Sequence, residues 1–455
     1  MGMIQTFKQA WRIPEMKKKM IFTLIMLVIF RLGSNIPVPG IDRTMLETLF
    51  QSNQAGLFGL FDMFTGGSFS HFTIFALGIG PYITSSIVLQ LLTVAIPALE
   101  ELAKQGEEGR KKINRITRYV AVVLALIQAV GYTFGLFRNA LSDNSNILMK
   151  IVIVLVLVAG TAFCMWMGEQ IDQKGVGNGI SLLIFAGIVS RIPTMVSNGI
   201  KYIITGPIQQ MLTIGEDGST LVPVLVPTNN PVLWVRILIG VLVIVFAIAV
   251  IVGIILITEG ARKVPVQYAK RVVGRKMYGG QSSHIPMKVN QAGVIPVIFA
   301  VSLLQILPTI AFMFPNSGFQ SFVNKYLTTS DTPGAYIYFV LNILLIFAFT
   351  YFYGQISFNP QEIAENLQSN GGFIPGIRPG KPTIEYITKI AGRLTVVSAI
   401  FLAIVASIPT LLSLLPGVST GFGGTSLIIA VGVALDTQRA IETQLVMRNY
   451  SGFLK

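Results

Sequence analysis

The chain has 455 residues, 52% of them hydrophobic and only 12% charged, about half the charged share of an ordinary soluble domain. A water-soluble protein of this composition would expose too much apolar surface to stay dispersed, so the excess has to face lipid. The net charge of +14 suggests nucleic acid at first sight, but in a membrane protein such an excess is more commonly Lys and Arg held on the cytoplasmic side. Cys164 is the only cysteine, and His71 and His284 are the only histidines. An internal disulfide is therefore excluded, and Cys/His metal sites and histidine-based catalysis have almost no material to work with. No cofactor and no catalytic residue is expected.

The N-terminal stretch to Lys19 holds five basic residues and is followed by an apolar run from Met20 to Phe30. This mimics a signal peptide, but Ser34 to Gly40 follows where a small-residue cleavage site would stand, so the run reads as a first membrane span. Met1-Gly2 with Thr6 fits an acylation pattern formally; Met3 suggests an added start instead. A membrane helix needs roughly 20 mainly apolar residues. Ten segments qualify: 20–36, 71–97, 117–137, 147–168, 178–200, 232–258, 291–314, 336–357, 394–414 and 425–446. Alternate connections carry 26 of the 34 Lys and Arg residues, and the connections between them carry five. That asymmetry places both termini in the cytoplasm, in a multi-pass protein of the cytoplasmic membrane. The positive charge is thus a record of topology, and no specific nucleic-acid recognition is expected.

Ten spans divide five and five about the external segment 202–231, which suits two halves of opposite orientation, 1–201 and 232–455. That segment contains Gly206-Pro207 and Gly215-Glu216-Asp217-Gly218 and has room for a small hairpin. Between spans one and two lies Leu57-Phe58-Gly59-Leu60-Phe61-Asp62-Met63-Phe64, closed by Thr65-Gly66-Gly67. Eight helical residues reach only about 12 Å, too little to cross. The segment reads either as a re-entrant or interfacial helix or as a movable stopper. In span two, Gly78, Gly80 and Pro81 predict a kink or break. Polar side chains within spans include Gln90, Gln128, Ser302 and Gln305. Interhelical hydrogen bonds account for most such residues, though a seam that opens for a partly polar guest needs them too.

Ion-coupled transporters keep ionisable groups near the midplane. Here Asp436 and Glu442, both in the cytoplasmic part of the last span, are the only acids inside predicted spans, which leaves a small-solute pump short of coupling groups and an intramembrane protease without buried catalytic pairs. The connections 259–290 and 358–393 are long for simple turns. The first carries Arg262, Lys263, Lys270, Arg271, Arg275 and Lys276; the second carries a proline-stiffened tip from Pro375 to Pro382 that presents Arg378 and Lys381. Loops of this kind suit docking of a large cytosolic partner. The run Gly175 to Gly179 invites a nucleotide-loop reading, but it opens a membrane span with no strand before it.

Several stretches, in order along nearly the whole chain, resemble the SecY family of protein-conducting channels: Arg31-Leu32-Gly33 with Ile36 to Gly40, 78–92 (GIGPYITSSIVLQLL), 104–112 (KQGEEGRKK), 175–181 (GVGNGIS), 292–299 (AGVIPVIF) and 371–380 (GGFIPGIRPG). The resemblance implies an all-α clamshell of two five-helix halves around an hourglass pore, a passive channel without catalysis of its own. It places a pore ring at Ile79, Ile83, Ile180, Ile184, Ile298 and Ile429, and a plug at Leu57 to Phe64 on the external side. It also implies a lateral gate of spans two and three against seven and eight, with Gln90, Gln128, Ser302 and Gln305 on the seam. SecE and SecG are the implied membrane partners. The SecA ATPase and the ribosome would dock on the loops carrying Arg262, Lys263, Arg271, Arg275, Arg378 and Lys381. Signal peptides and unfolded preproteins would be the cargo, with membrane lipids beside the gate. An inverted-repeat solute or lipid transporter is the alternative reading.

Overall fold

In the computed structural model, residues 3–42, 46, 62, 65–137, 141, 146–194, 196–197, 200, 208–214, 221–227, 233–268, 271–273, 276–278, 282–314, 317–327, 332–413 and 424–452 are described. The long helices are α1 (Met3–Arg12), α2 (Pro14–Gly33), α3 (Gly80–Ala95), α4 (Pro97–Lys104), α5 (Glu107–Gly131), α6 (Ile147–Lys174), α7 (Gly179–Val189), α8 (Leu233–Glu259), α9 (Ile295–Met313), α10 (Gly318–Tyr326), α11 (Thr332–Ser357), α12 (Pro360–Ser369), α13 (Lys381–Ser413) and α14 (Gly424–Gly452). Each of the ten apolar segments expected from the sequence carries one of them. Five described helical stretches, built on α5, α6, α8, α11 and α13, are long and apolar enough to cross a membrane alone; α7 and α9 are apolar but shorter.

The division of apolar residues within a helix follows what each face meets. In α2, Met16, Thr23, Met26 and Phe30 point inward, while Leu24, Ile25, Val28 and Leu32 stay exposed. That is an apolar helix with one face on protein and the other suited to lipid. α8 goes further: Leu238, Val241, Leu242, Ile244, Val245 and Ile248 are all more than half exposed, a surface suited to lipid.

The second span departs from its expected form. The sequence suggests a helix over 71–97 with a kink near Pro81, but the helix begins only at Gly80, with Pro81 in its first turn. Residues 65–78 form a compact irregular segment. Pro is well suited to a helix start, where no backbone donor is missed. The irregular segment is held by burial: Phe69, Phe72, Phe75 and Leu77 are almost wholly inside, and Phe72 meets Phe137 edge-on at 4.3 Å between ring centres. Gly160 lets α6 approach it so closely that a Cβ there would lie 1.9 Å from the Ile74 carbonyl oxygen. At the other end of the span, α3 and α4 meet at 100° across Ile96 and Pro97.

Two further structures occupy the connections. Within 202–231, β1 (Ile208–Ile214) and β2 (Leu221–Pro227) pair as an antiparallel hairpin, in the segment whose composition left room for one. In the connection 259–290, β3 (Ala261–Tyr268) pairs with β6 (Ser282–Lys288), and the short strands β4 (Arg271–Val273) and β5 (Lys276–Tyr278) form a second hairpin beyond it. The other long connection contributes β7 (Gly372–Phe373), which pairs with β3 through Gln267 and Phe373. The two basic connections therefore share one three-stranded sheet. It has its own apolar core, in which Val264, Val266 and Met287 pack on Leu367, Ile374 and Ile387.

Candidate functional site

Six isoleucines assigned to a ring arrive from four different elements. Ile79 is the residue just before α3, and Ile83 lies one turn further on; Ile180 and Ile184 occupy the first two turns of α7. Ile298 stands in the first turn of α9 and Ile429 near the start of α14. All six belong to one apolar cluster: Ile79, Ile184, Ile298 and Ile429 are buried in it, and Ile83 and Ile180 pack against it partly buried. Ring residues at i and i+4 share a helix face, which is why each pair can point to one place.

A small cavity of about 30 Å³ sits among them, lined by Ile79, Ile83, Ile184 and Ile298 and, on its polar side, by Thr65, Ser302 and Gln305. That is room for a water or two, and no charged side chain lines it. A lining of this kind offers water few hydrogen-bond partners and an ion no compensation for its lost hydration.

Ser302 and Gln305, expected on a seam between helices, thus face the cavity beside the ring. Gln305 Nε2 and the Oε1 of Gln128 are buried without a hydrogen-bond partner among the described residues. Gln90, also expected on that seam, accepts at its Oε1 a hydrogen bond from the Tyr353 hydroxyl, which links α3 to α11. Tyr353 packs edge-on against Phe299 of α9, with ring centres 5.2 Å apart. Sequence reasoning had no hold on Tyr353, since a tyrosine in the aromatic run Tyr351-Phe352-Tyr353 near a span end resembles any interfacial aromatic. Between α5 and α9, Gly131 makes room for Met313: a Cβ there would lie 2.3 Å from the Met313 side chain.

Of the proposed plug, Leu57, Phe58, Leu60, Phe61, Met63 and Phe64 lie outside the described residues. Asp62 is described and buried, paired with Arg191. Among the docking residues, Arg262, Lys263, Arg378 and Lys381 are exposed; Arg271 opens β4, and Arg275 lies outside the described residues. The Arg378 tip is stiffened at both ends. Gly376 and Gly380 take positive φ of 80° and 98°, values that favour glycine, and the Thr383 hydroxyl donates to the Arg378 carbonyl at 2.9 Å.

The glycine-rich run 175–179 is a turn between helices. Asn178 caps α7 by accepting from the Ser181 N–H at 3.0 Å, and Asp172 accepts from the Gly179 N–H at 2.7 Å. A Cβ on Gly179 would lie 2.0 Å from the Gly168 carbonyl oxygen, so the glycine serves helix packing. Among the described residues no group of three or more His, Cys, Asp or Glu side chains is placed to hold a metal ion.

Apolar helices on this plan, packed around one large apolar cluster, define a multi-span, all-α membrane protein. The SecY family model matches residues 73–438. The chain is 46% identical to the protein translocase subunit SecY of Halalkalibacterium halodurans and 43% identical to that of Bacillus subtilis, in both cases over the whole of each chain. The chain belongs to the SecY family. Its fold matches a solved protein-conducting channel with a TM-score of 0.60, at 20% identity, over 94% of this chain and 93% of the other. It also matches Sec61 in the canine ribosome-channel complex with a TM-score of 0.57, at 19% identity, over 94% and 93%.

Proposed function

We propose that this chain is the central channel subunit of a Sec protein translocase, passing unfolded polypeptides across the cytoplasmic membrane and membrane segments sideways into it. The observation that carries this reading is the meeting of Ile79, Ile83, Ile184 and Ile298, from three elements, on one small cavity without charged lining, inside an apolar cluster that also holds Ile180 and Ile429, in a chain of the SecY family. The channel is passive, and a partner supplies the energy. Residues 1–201 and 232–455 act as two halves hinged at 202–231, with the segment 57–67 as plug below the ring. The helices α3 and α5 face α9 and α11 across the lateral gate. SecE and SecG accompany the chain in the membrane.

The sheet shared by the two basic connections supports a single docking platform for SecA and for the ribosome, because β7 ties the Arg378 tip to the strand that carries Arg262 and Lys263. Arg378→Glu reverses one exposed charge and is expected to leave folding intact, since surface changes usually stay within about 0.5 kcal/mol. In vesicles holding the chain with its membrane partners, SecA-driven translocation of an unfolded preprotein should fall several-fold with this variant. Normal translocation would remove Arg378 from the docking surface; no translocation by the unaltered chain would count against the function itself.

Orientation follows from the charge asymmetry and is tested separately. A reporter active only in the cytoplasm should work when fused after Lys455 and fail when inserted between β1 and β2. The reverse pattern would invert every assignment of side.

A further inference from the structure

The connection between α9 and α11 carries the short helix α10, whose apolar side is largely turned away from the protein. Its sequence GFQSFVNKY sets Phe319, Phe322, Val323 and Tyr326 on one arc, at spacings of three, four and seven residues, with Gln320, Ser321 and Asn324 opposite. In a water-soluble protein such an arc turns inward. Here Val323 alone of the four is buried, and Phe319 and Phe322 are exposed, the latter by more than half. The helix is well formed at its start: the Ser317 hydroxyl accepts from the Gln320 N–H at 3.2 Å and donates to the Phe314 carbonyl at 2.7 Å. The Phe322 and Tyr326 rings, one turn apart, have centres 5.0 Å apart, and the Lys325 ammonium lies 5.4 Å from the centre of the Tyr326 ring. α10 packs on both α9 and α11. The adjoining ends of those helices are exposed and apolar too: Leu307, Ile310 and Phe314 run as a stripe to the end of α9, and Tyr336 and Val340 stand one turn apart at the start of α11.

We infer that α10 lies in the plane of the membrane surface, its aromatic arc set into phospholipid at the boundary between headgroups and acyl chains, and that it anchors the adjoining ends of α9 and α11 at that depth. The inference needs only that α9 and α11 cross the membrane, so it stands apart from the cargo proposed above. Three properties make phospholipid the occupant. The arc adjoins the apolar stripes of two membrane helices, so one lipid surface covers all three. Phenylalanine and tyrosine rings beside a lysine match the layered chemistry of that boundary, with the rings at the acyl edge and the ammonium at the phosphates. Nine helical residues span only about 13 Å, too little to supply the roughly 1,000 Å² that a protein partner or a second copy needs. A helix seated in this way is costly to lift into water and costly to sink, because its two faces have opposite solvents. The ends of α9 and α11 that it joins can therefore shift along the membrane plane more easily than across it.

The test uses the full chain, reconstituted with its membrane partners in phospholipid vesicles and carrying one nitroxide label at an introduced cysteine; the native Cys164 is fully buried. Labels go to Phe322→Cys on the arc and, in a separate chain, to Asn324→Cys on the opposite, exposed side. Both are surface positions, where substitution leaves folding intact. Oxygen concentrates in lipid, whereas a nickel chelate stays in water. The ratio of oxygen to chelate collisions should be several-fold higher at 322 than at 324. Equal access of the chelate to both positions would place the arc in water, and shielding of 322 from both reagents would place it under protein; either result overturns the inference. A second variant asks whether the rings hold the helix in place. Phe319→Ser combined with Phe322→Ser should lower the same ratio several-fold for a label at Tyr326→Cys. An unchanged ratio would mean that the packing of Val323 alone seats α10, and the anchor would fall.

Discussion

Vesicles carrying Ile429→Asn should conduct ions at least about ten-fold faster at rest than those carrying the unaltered chain. Ile429 is fully buried in the cluster that contains the other five ring residues. An amide in its place supplies donors and acceptors inside a neck that otherwise has few, and it lowers the barrier met by water and by a dehydrating ion. The same change costs roughly 1–3 kcal/mol if the amide stays unpaired in the closed state, so it destabilises closure as well as the seal. Both effects point the same way, and poorly hydrophobic signal sequences should be accepted more readily. Ile298→Asn should behave alike, since Ile298 lines the cavity itself. Ile244→Asn is the control: that residue is 60% exposed on the outer face of α8, so it alters a lipid-facing surface and leaves the neck alone. A ring variant that leaks no more than the control would mean that these isoleucines are ordinary core.

What could be read from the sequence, and what could not, divides along physical lines. Apolar runs of membrane-crossing length announce themselves, and all ten carry a helix, because lipid leaves the backbone few other solutions. The break at Gly78, Gly80 and Pro81 was legible as a break, but its extent was not. Phe69, Phe72, Phe75 and Leu77 continue the apolar run, and composition does not distinguish a buried helix from a buried irregular segment. The decision is made by Gly160, Tyr132 and Phe137, which are distant in sequence. The strand β3 was legible in principle, since Val264 and Val266 alternate with exposed residues at period two. Its pairing with β7 was not, because two residues of a distant connection carry no pattern. The proposed ring rests on family resemblance alone; by spacing those residues are unremarkable isoleucines. Arg191 stood in the sequence as a charge near a span end, and nothing there named Asp62 as its partner.

Bridging Gln90 to Tyr353 should abolish lateral release of membrane segments while leaving the seal intact. These residues join α3 to α11 directly, and in the proposed clamshell those helices belong to different halves, so any opening between them must separate the pair. The hydrogen bond alone is a weak fastening, worth about 1 kcal/mol. Tyr353→Phe should therefore shift the gate toward opening by only about five-fold, with the packing of the ring on Phe299 retained. A covalent bridge has no such limit. With Gln90→Cys and Tyr353→Cys joined by a cross-linker that reaches across the seam, a nascent membrane segment should remain in contact with the channel and fail to reach lipid, as read by photo-cross-linking to lipid. Ion leak should stay at the resting level, because the ring at Ile79, Ile184, Ile298 and Ile429 is undisturbed. Cleaving the bridge should restore release. If the bridged chain still delivers the segment to lipid at the normal rate, the exit lies elsewhere, and α3 and α11 are merely neighbours in the bundle.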